Sequence, residues 1–364
     1  MIRYLKYLFN LAAGFDPRII PLLLLRESDK NKKRNQICIF FGNHNQEFFE
    51  KKIYGGKVKL FYLKDAFEEN ANGKILYLVS SALPTGWIWA LLYFKVTGRR
   101  VVLNQNGVYY PDMMPFLYPL ANLSNRIIYK YADYVIYQSK FCRKMAAKYL
   151  NNKKVNSRIL YNPAVNYKLP LKSNRKSPNI SLMGNQYEKY RLNRAIKIAS
   201  ILRRKKIKFT LKIYGSLNWT SNAVKNKRYL MKSINQEELQ DNVIYEGPYK
   251  WDALSSILRK TDILLHTKSL DPCPSSVVEA IRNGIPVVYI KNGGTSELVG
   301  PGGIGVDLKE GKNWLCDTLE NKLADAISAV ILNNSEFSKS ARQHGVKYSV
   351  KKWVEEHDRI FRKI

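Results

Sequence analysis

Short apolar runs recur along the chain, separated by amphipathic stretches and by turns rich in Gly, Pro, Asn and Ser. Runs at 37–41, 58–63, 75–79, 101–103, 134–137 and 159–161 read as strands, because β-branched and aromatic residues crowd between polar breaks. A second series follows at 180–183, 209–214, 243–246, 263–265 and 287–290. Between them, residues 84–95, 116–131, 140–149, 251–259, 314–331 and 348–364 carry apolar positions at helical spacing. Ser139 stands where a side-chain oxygen would cap the helix after the 134–137 run. Strands alternating with helices predict parallel sheets covered by helices.

The pattern breaks once. Residues 165–178 are basic, include Pro170 and Pro178, and read as a linker. We therefore expect an α/β protein of two Rossmann-like domains facing an interdomain cleft: residues 1–168, residues 169–345, and a terminal segment 346–364.

Composition narrows the setting. The 364 residues carry a net charge of +32, with basic residues spread along the chain and not gathered in a tail. Such a field favours anionic partners, nucleic acid or acidic lipid. No zinc-finger or RNA-recognition pattern is present, so a lipid surface fits better. Lysine-rich codon usage is the bland account of the same charge. Cys38, Cys142, Cys273 and Cys316 lack metal-ligand spacing and read as free thiols of a reducing compartment. No uncharged apolar run is long enough to span a bilayer. Residues 1–25 read either as a basic amphipathic segment in a membrane interface or as a helix packed on the first domain.

The most informative stretch runs from Asp271 to Ile290. Ser275 or Ser276 is expected to cap a helix that starts near Val277 and stops at Asn283-Gly284. Free N–H groups at such a helix start favour an anion such as a diphosphate. Asp271 on the loop and Glu279 on the helix flank that site, where carboxylates can accept hydrogen bonds from sugar hydroxyls. The bland alternative is an ordinary α/β crossover whose Gly, Pro and Val are only folding signals.

The order of these residues resembles a family. An acid (Asp271), seven residues, Glu279-Ala280, then Gly284-x-Pro286-Val-Val and Gly293-Gly294-x-x-Glu297, is similar to the donor-site signature of glycosyltransferase family 4. Members are retaining enzymes of the GT-B fold. The resemblance implies that Asp271 lies by the transferred sugar and that Glu279 binds the ribose. It departs from the pattern in having Asp where Glu is usual.

Further positions follow from the resemblance. Gly184, Asn185, Lys189 and Arg191 occupy the segment whose cations hold the donor diphosphate; Asn185 replaces an Arg, and Arg194 is a further cation nearby. A solvated helix start would look the same. Gly215 and Tyr249 fall in loops beside the nucleotide base, although Tyr249 could equally pack at a turn. Asn106 stands where a histidine usually faces the donor sugar; an amide can bond a hydroxyl but cannot titrate near neutral pH. Gly42 and His44 match the acceptor loop, although an exposed loop histidine is the common alternative. Val277 and Ser276 would line the diphosphate site. In the family the terminal helix returns to the first domain.

The expected activity is retaining transfer of a hexose from a nucleotide diphosphate sugar. No Asp-x-Asp motif is present, so no metal is expected. The acceptor is expected to be a glycan or lipid-linked, the setting cytoplasmic and peripheral at an anionic membrane, in surface polysaccharide or glycolipid synthesis. Two rivals are weighed: an epimerase-like enzyme on the same fold, disfavoured by its different histidine and acidic signatures, and a basic nucleic-acid-binding or non-catalytic α/β protein.

Overall fold

The computed structural model describes residues 11–24, 37–42, 56–111, 114–151, 154–308 and 317–364. The chain divides into two compact units, Met1–Asn162 with Val350–Ile364, and Pro163–Ser349. The boundary expected at 168/169 thus falls inside the second unit.

The first unit is built on β1 (Cys38–Phe40), β2 (Glu68–Glu69), β3 (Ile75–Val79), β4 (Arg100–Gln105), β5 (Tyr134–Tyr137) and β6 (Asn156–Ile159). They form one sheet in the order β2-β1-β3-β4-β5-β6, every pair parallel. β3 is buried along its whole length, which is why Ile75–Val79 is a continuous apolar run and not an alternating one. Ser139 caps the helix Lys140–Leu150 by accepting from the Cys142 N–H at 2.9 Å.

One element differs from the sequence reading. The run at 58–63 is not a strand; it lies within the helix Gly56–Ala66. Lys59, Leu60, Tyr62 and Leu63 are its buried side chains together with Gly56, a spacing that gathers on one side of a helix. A short apolar run does not separate strand from helix by periodicity alone. The stretch 116–131 is likewise interrupted, with helices Tyr118–Ala121 and Leu123–Tyr131 meeting at Asn122. Asn122 spends its amide on the Tyr109 backbone, accepting at 3.0 Å and donating at 2.9 Å.

Of the N-terminal segment, residues 11–24 pack on the first unit. Ile19 and Leu23 are buried, the Gly86 N–H donates to the Ala13 carbonyl at 2.8 Å, and Trp89 Nε1 donates to the Phe15 carbonyl at 2.9 Å. Residues 1–10 lie outside the described residues. The terminal helix Val350–Lys363 buries Trp353, His357, Ile360 and Phe361. Its rings meet Tyr62, Phe67 and Tyr77 edge to face.

The second unit contains β7 (Asn179–Leu182), β8 (Thr210–Tyr214), β9 (Val243–Gly247), β10 (Ile263–His266), β11 (Val287–Ile290) and β12 (Gly303–Val306). The order is β12-β11-β10-β7-β8-β9, again all parallel. The chain winds outward from β7 in one direction and resumes from β10 in the other. The carboxyl ends of β7 and β10 therefore mark the point where the winding reverses, the place where sheets of this kind open a ligand crevice.

Helix Lys189–Arg204 packs on this sheet and buries Arg194 completely. Arg194 Nε donates to Glu320 Oε1 at 2.7 Å, with both side chains fully buried. Removing one member of such a pair strands a charge in the core. We expect R194A to lower stability by about 3–5 kcal/mol in urea unfolding. R194M/E320L should recover most of that loss, because a packed apolar pair desolvates no charge.

Candidate active site

The crevice of the second unit begins with glycines. β7 ends in Gly184, with φ of 95°, and β8 in Gly215, with φ of 116°. A Cβ on Gly215 would lie 2.3 Å from the Gly184 carbonyl oxygen, so no side chain fits where these two strand ends meet. Nothing lies within 4 Å of a Cβ built on Gly184, which leaves space above β7. Asn185 turns back to accept from the Ser216 N–H at 3.1 Å, fixing the loop it shares with β8.

Charge gathers across the strand reversal. β10 runs into His266, Thr267 and Lys268, then Asp271. Lys268 Nζ is 3.1 Å from Asp271 Oδ2, and His266 Nε2 is 3.9 Å from the same atom. Burial pushes the Asp271 carboxyl up, but the charge and hydrogen bond of Lys268, with the charge of Arg191, outweigh it and hold it below its ordinary value. Asp271 in turn raises Lys268 despite its burial. Arg191 is buried, and burial lowers its pKa against the opposing charges of Glu188, Tyr190 and Asp271. Its Nη1 donates to the Asn185 carbonyl at 3.2 Å. Burial drives His266 down to about 3, with Arg191 and Lys268 adding to it and Asp271 opposing, so the imidazole is neutral. Arg191 Nε and His266 Nε2 are buried without a hydrogen-bond partner among the described residues. An unpaired buried N–H such as Arg191 Nε is what a bound anion would satisfy.

The adjoining helix is Ser275–Arg282. It starts two residues before the expected Val277, and neither Ser275 nor Ser276 caps it. Pro274 stands at the cap position in extended conformation, and no side chain bonds the first turn. Proline fixes the backbone for helix entry but offers no acceptor side chain. The Val277 N–H donates to the Pro274 carbonyl at 3.1 Å, while the Ser275 and Ser276 N–H groups ahead of it receive no side-chain cap; Ser275 and Ser276 are half-buried and Val277 is buried beneath. The helix ends as expected, at Asn283 with Gly284 at φ of 72°. Glu279, on its second turn, keeps part of its surface accessible, yet burial pushes its carboxyl up to about 7. Tyr249, after β9, packs edge to face on Tyr214 at 6.2 Å; burial, then the charge of Glu279, raise its pKa.

Two cations take other places. Lys189 opens the helix Lys189–Arg204, is exposed, and lies 3.6 Å above the Tyr229 ring centroid. Arg194 is committed to Glu320. Lys268, His266 and Tyr190, whose hydroxyl accepts from the Ser269 N–H at 3.1 Å, belong to the cluster but were not singled out from sequence. Lys268 was findable as a cation three residues before Asp271 at a strand end.

Asn106 lies in the first unit, just beyond β4, and is nearly buried. Its backbone N–H donates to Ser80 Oγ at 2.9 Å, and its Nδ2 donates to Ser81 Oγ. Gly42, just beyond β1, has φ of 116°. His44 lies outside the described residues. Among the described residues, no group of three His, Cys, Asp or Glu side chains could hold a metal ion.

Residues 168–347 match the family model for glycosyl transferases group 1. Comparison with curated proteins gives no match. Solved structures with similar folds include sucrose-phosphate synthase from Thermosynechococcus elongatus, at 14% identity and TM-score 0.60, covering 84% of this chain and 76% of that one. HepE of Anabaena, solved with UDP-glucose, is similar at 15% identity and TM-score 0.60, covering 85% and 82%. A glycosyltransferase from Rickettsia africae is similar at 15% identity and TM-score 0.60, covering 93% and 84%. The fold is the two-domain α/β GT-B architecture.

Glu279 gives a pH prediction. Its folded pKa of about 7 lies above the ordinary 4.5, so its stabilising contribution is full below pH 4.5 and is lost as pH rises through 7. E279Q escapes that loss. Relative to wild type it should gain about 1–3 kcal/mol between pH 4.5 and 8, after discounting for the partly accessible carboxyl. Urea unfolding at pH 4.5 and pH 8 checks this; an equal E279Q effect at both values contradicts it.

Proposed function

We propose that the protein transfers a hexose from a nucleotide diphosphate sugar to an acceptor, with retention of anomeric configuration. The observation that carries this reading is the set of Arg191, Lys268 and an uncapped helix start around Asp271, at the carboxyl ends of β7 and β10. Two cations and free N–H groups suit a diphosphate, and a carboxylate between them suits a hydroxyl. HepE, a structural neighbour, was solved with UDP-glucose, which makes a uridine diphosphate sugar the first donor to try.

In this reading the diphosphate lies on the Ser275–Ser276 helix start, between Arg191 and Lys268, with Lys189 at the rim. The bond from the anomeric carbon to the diphosphate oxygen breaks while the bond to the acceptor oxygen forms on the same face. The acceptor proton passes to the departing phosphate oxygen. Arg191 and Lys268 stabilise the charge that grows on that oxygen. Asp271 orients the sugar, Glu279 accepts from ribose hydroxyls, and Tyr249 and Gly215 border the base. Asn106 meets a sugar hydroxyl, and Gly42 and His44 belong to the acceptor loop. These cations take the part a metal would otherwise play, so activity should persist in EDTA.

The acceptor is proposed to be lipid-linked and reached at an anionic membrane surface on the cytoplasmic side, in glycolipid or surface polysaccharide synthesis. The net charge of +32 supports this. So do the exposed Leu24, Leu92 and Val96 on two contacting helices of the first unit, with exposed Phe15 in the turn before them. Among the described residues, no helix is long and apolar enough to cross a membrane.

Thermal-shift screening of uridine and guanosine diphosphate sugars tests the donor half directly, because a ligand of the native state raises the melting temperature. At least one donor should shift it, and that donor should release nucleotide diphosphate. K268M should lower turnover about 100-fold or more. A protein that no donor stabilises, and that releases no nucleotide, is a binding protein, and the reading fails.

A further inference from the structure

A lysine occupies a core position in the first unit. Lys59 lies in the first turn of helix Gly56–Ala66, on the side that buries Leu60 and Leu63, and is 3% exposed. Its Nζ donates to Asn104 Oδ1 at 2.7 Å and to Asn106 Oδ1 at 2.8 Å. Asn106 is gripped elsewhere too: its N–H by Ser80, its Nδ2 by Ser81, and its carbonyl by the Cys142 S–H. Buried ammonium groups are unfavourable, and an apolar side chain of similar volume would serve packing alone at least as well. A residue that breaks the local rule without serving the core points to function.

The lysine is itself held by a directional chain. Asn104 Nδ2 donates to the Tyr77 hydroxyl at 2.8 Å. Tyr77 and His357 Nε2 are 2.9 Å apart, and His357 Nδ1 is 2.8 Å from the Trp353 carbonyl. A carbonyl only accepts, so Nδ1 carries the hydrogen. Burial keeps this imidazole neutral, with a pKa near 3. Nε2 must then accept, Tyr77 must donate to it, and the Tyr77 oxygen is left to accept from Asn104. That fixes Asn104 Oδ1 toward Lys59. Every orientation from the terminal helix to the edge of β4 is set.

We propose that Lys59 is a positioning residue that locks the Asn106 amide at the carboxyl edge of β4, with Asn104, Tyr77 and His357 holding the lysine in place. Asn106 Oδ1 is engaged by the ammonium, while Nδ2 has a second hydrogen beyond the one given to Ser81. The amide is thereby presented as a donor, polarised by the cation behind it, and it suits an acceptor oxygen of a sugar hydroxyl. This last step rests on the role given to Asn106 in the proposed function.

The test is a mutant cycle on the full chain, using whichever sugar nucleotide gives turnover. K59M and N106A should each lower kcat about 10- to 100-fold, with donor KM within about twofold, and K59M/N106A should lose no more than either single variant, because residues acting as a unit are non-additive. Losses that multiply, or a folded K59M with wild-type kcat, overturn the proposal. Should K59M not fold, Y77F takes its place in the cycle, with an expected kcat loss of about 3- to 10-fold and the same two overturning results. Crystal structures of K59M, or of Y77F, decide independently of turnover: the Asn106 amide should leave Ser81, and an unmoved Asn106 overturns the proposal. Wild-type protein inactive with every donor would sink the functional reading, while the Asn106 orientation still decides the positioning role.

Discussion

A carboxylate closed off from water keeps its charge only if cations are brought to it, and Asp271 sets that condition for the second unit. Lys268 approaches along the same loop, and Arg191 comes from the helix that follows β7. The two sources sit on neighbouring strands only because the sheet is wound β9-β8-β7-β10. The topology and the charge cluster are therefore one fact seen twice. A sheet wound in simple chain order would leave β7 and β10 apart and Asp271 without Arg191.

The same unit disposes of buried charge in a second way, and the contrast is instructive. Arg194 and Glu320 neutralise each other in the core at 2.7 Å and offer nothing to solvent. Three residues earlier on that helix, Arg191 spends its Nη1 on a backbone carbonyl, while its Nε and the neighbouring His266 Nε2 lack partners among the described residues. One arginine completes a structure; the other is left incomplete. Sequence favoured Lys189, with Arg191 and Arg194 as possible substitutes, since spacing on a helix does not reveal which side chain finds an acid far along the chain.

Much of the second unit was legible because its chemistry is written locally. Strands 180–183, 263–265 and 287–290 were apolar runs, the helix stop at Gly284 needed a positive φ, and Asp271 and Glu279 fall within one strand–loop–helix turn. What escaped notice depended on contacts distant in sequence. Lys268 matters only because Asp271 folds back toward it, and the expected serine cap gave way to Pro274, whose ring sets the backbone without a side-chain acceptor. In the first unit the misread stretch 58–63 has the composition of a strand. Its lysine makes sense only once Asn104 and Asn106, more than forty residues later, are seen beside it.

Lys59 also shows why a missing histidine at position 106 need not mean a missing function. An imidazole combines orientation, hydrogen bonding and a titratable charge in one ring. In the proposed reading the amide of Asn106 would supply the hydrogen bond and Lys59 the charge, while Tyr77 with His357 sets the orientation. Neither the amide nor the neutral imidazole of His357 exchanges a proton near neutral pH. The same hydrogen bonds join position 106 to the last helix of the chain, so that the docking of Val350–Lys363 on the first unit and the aim of one amide become the same structural event.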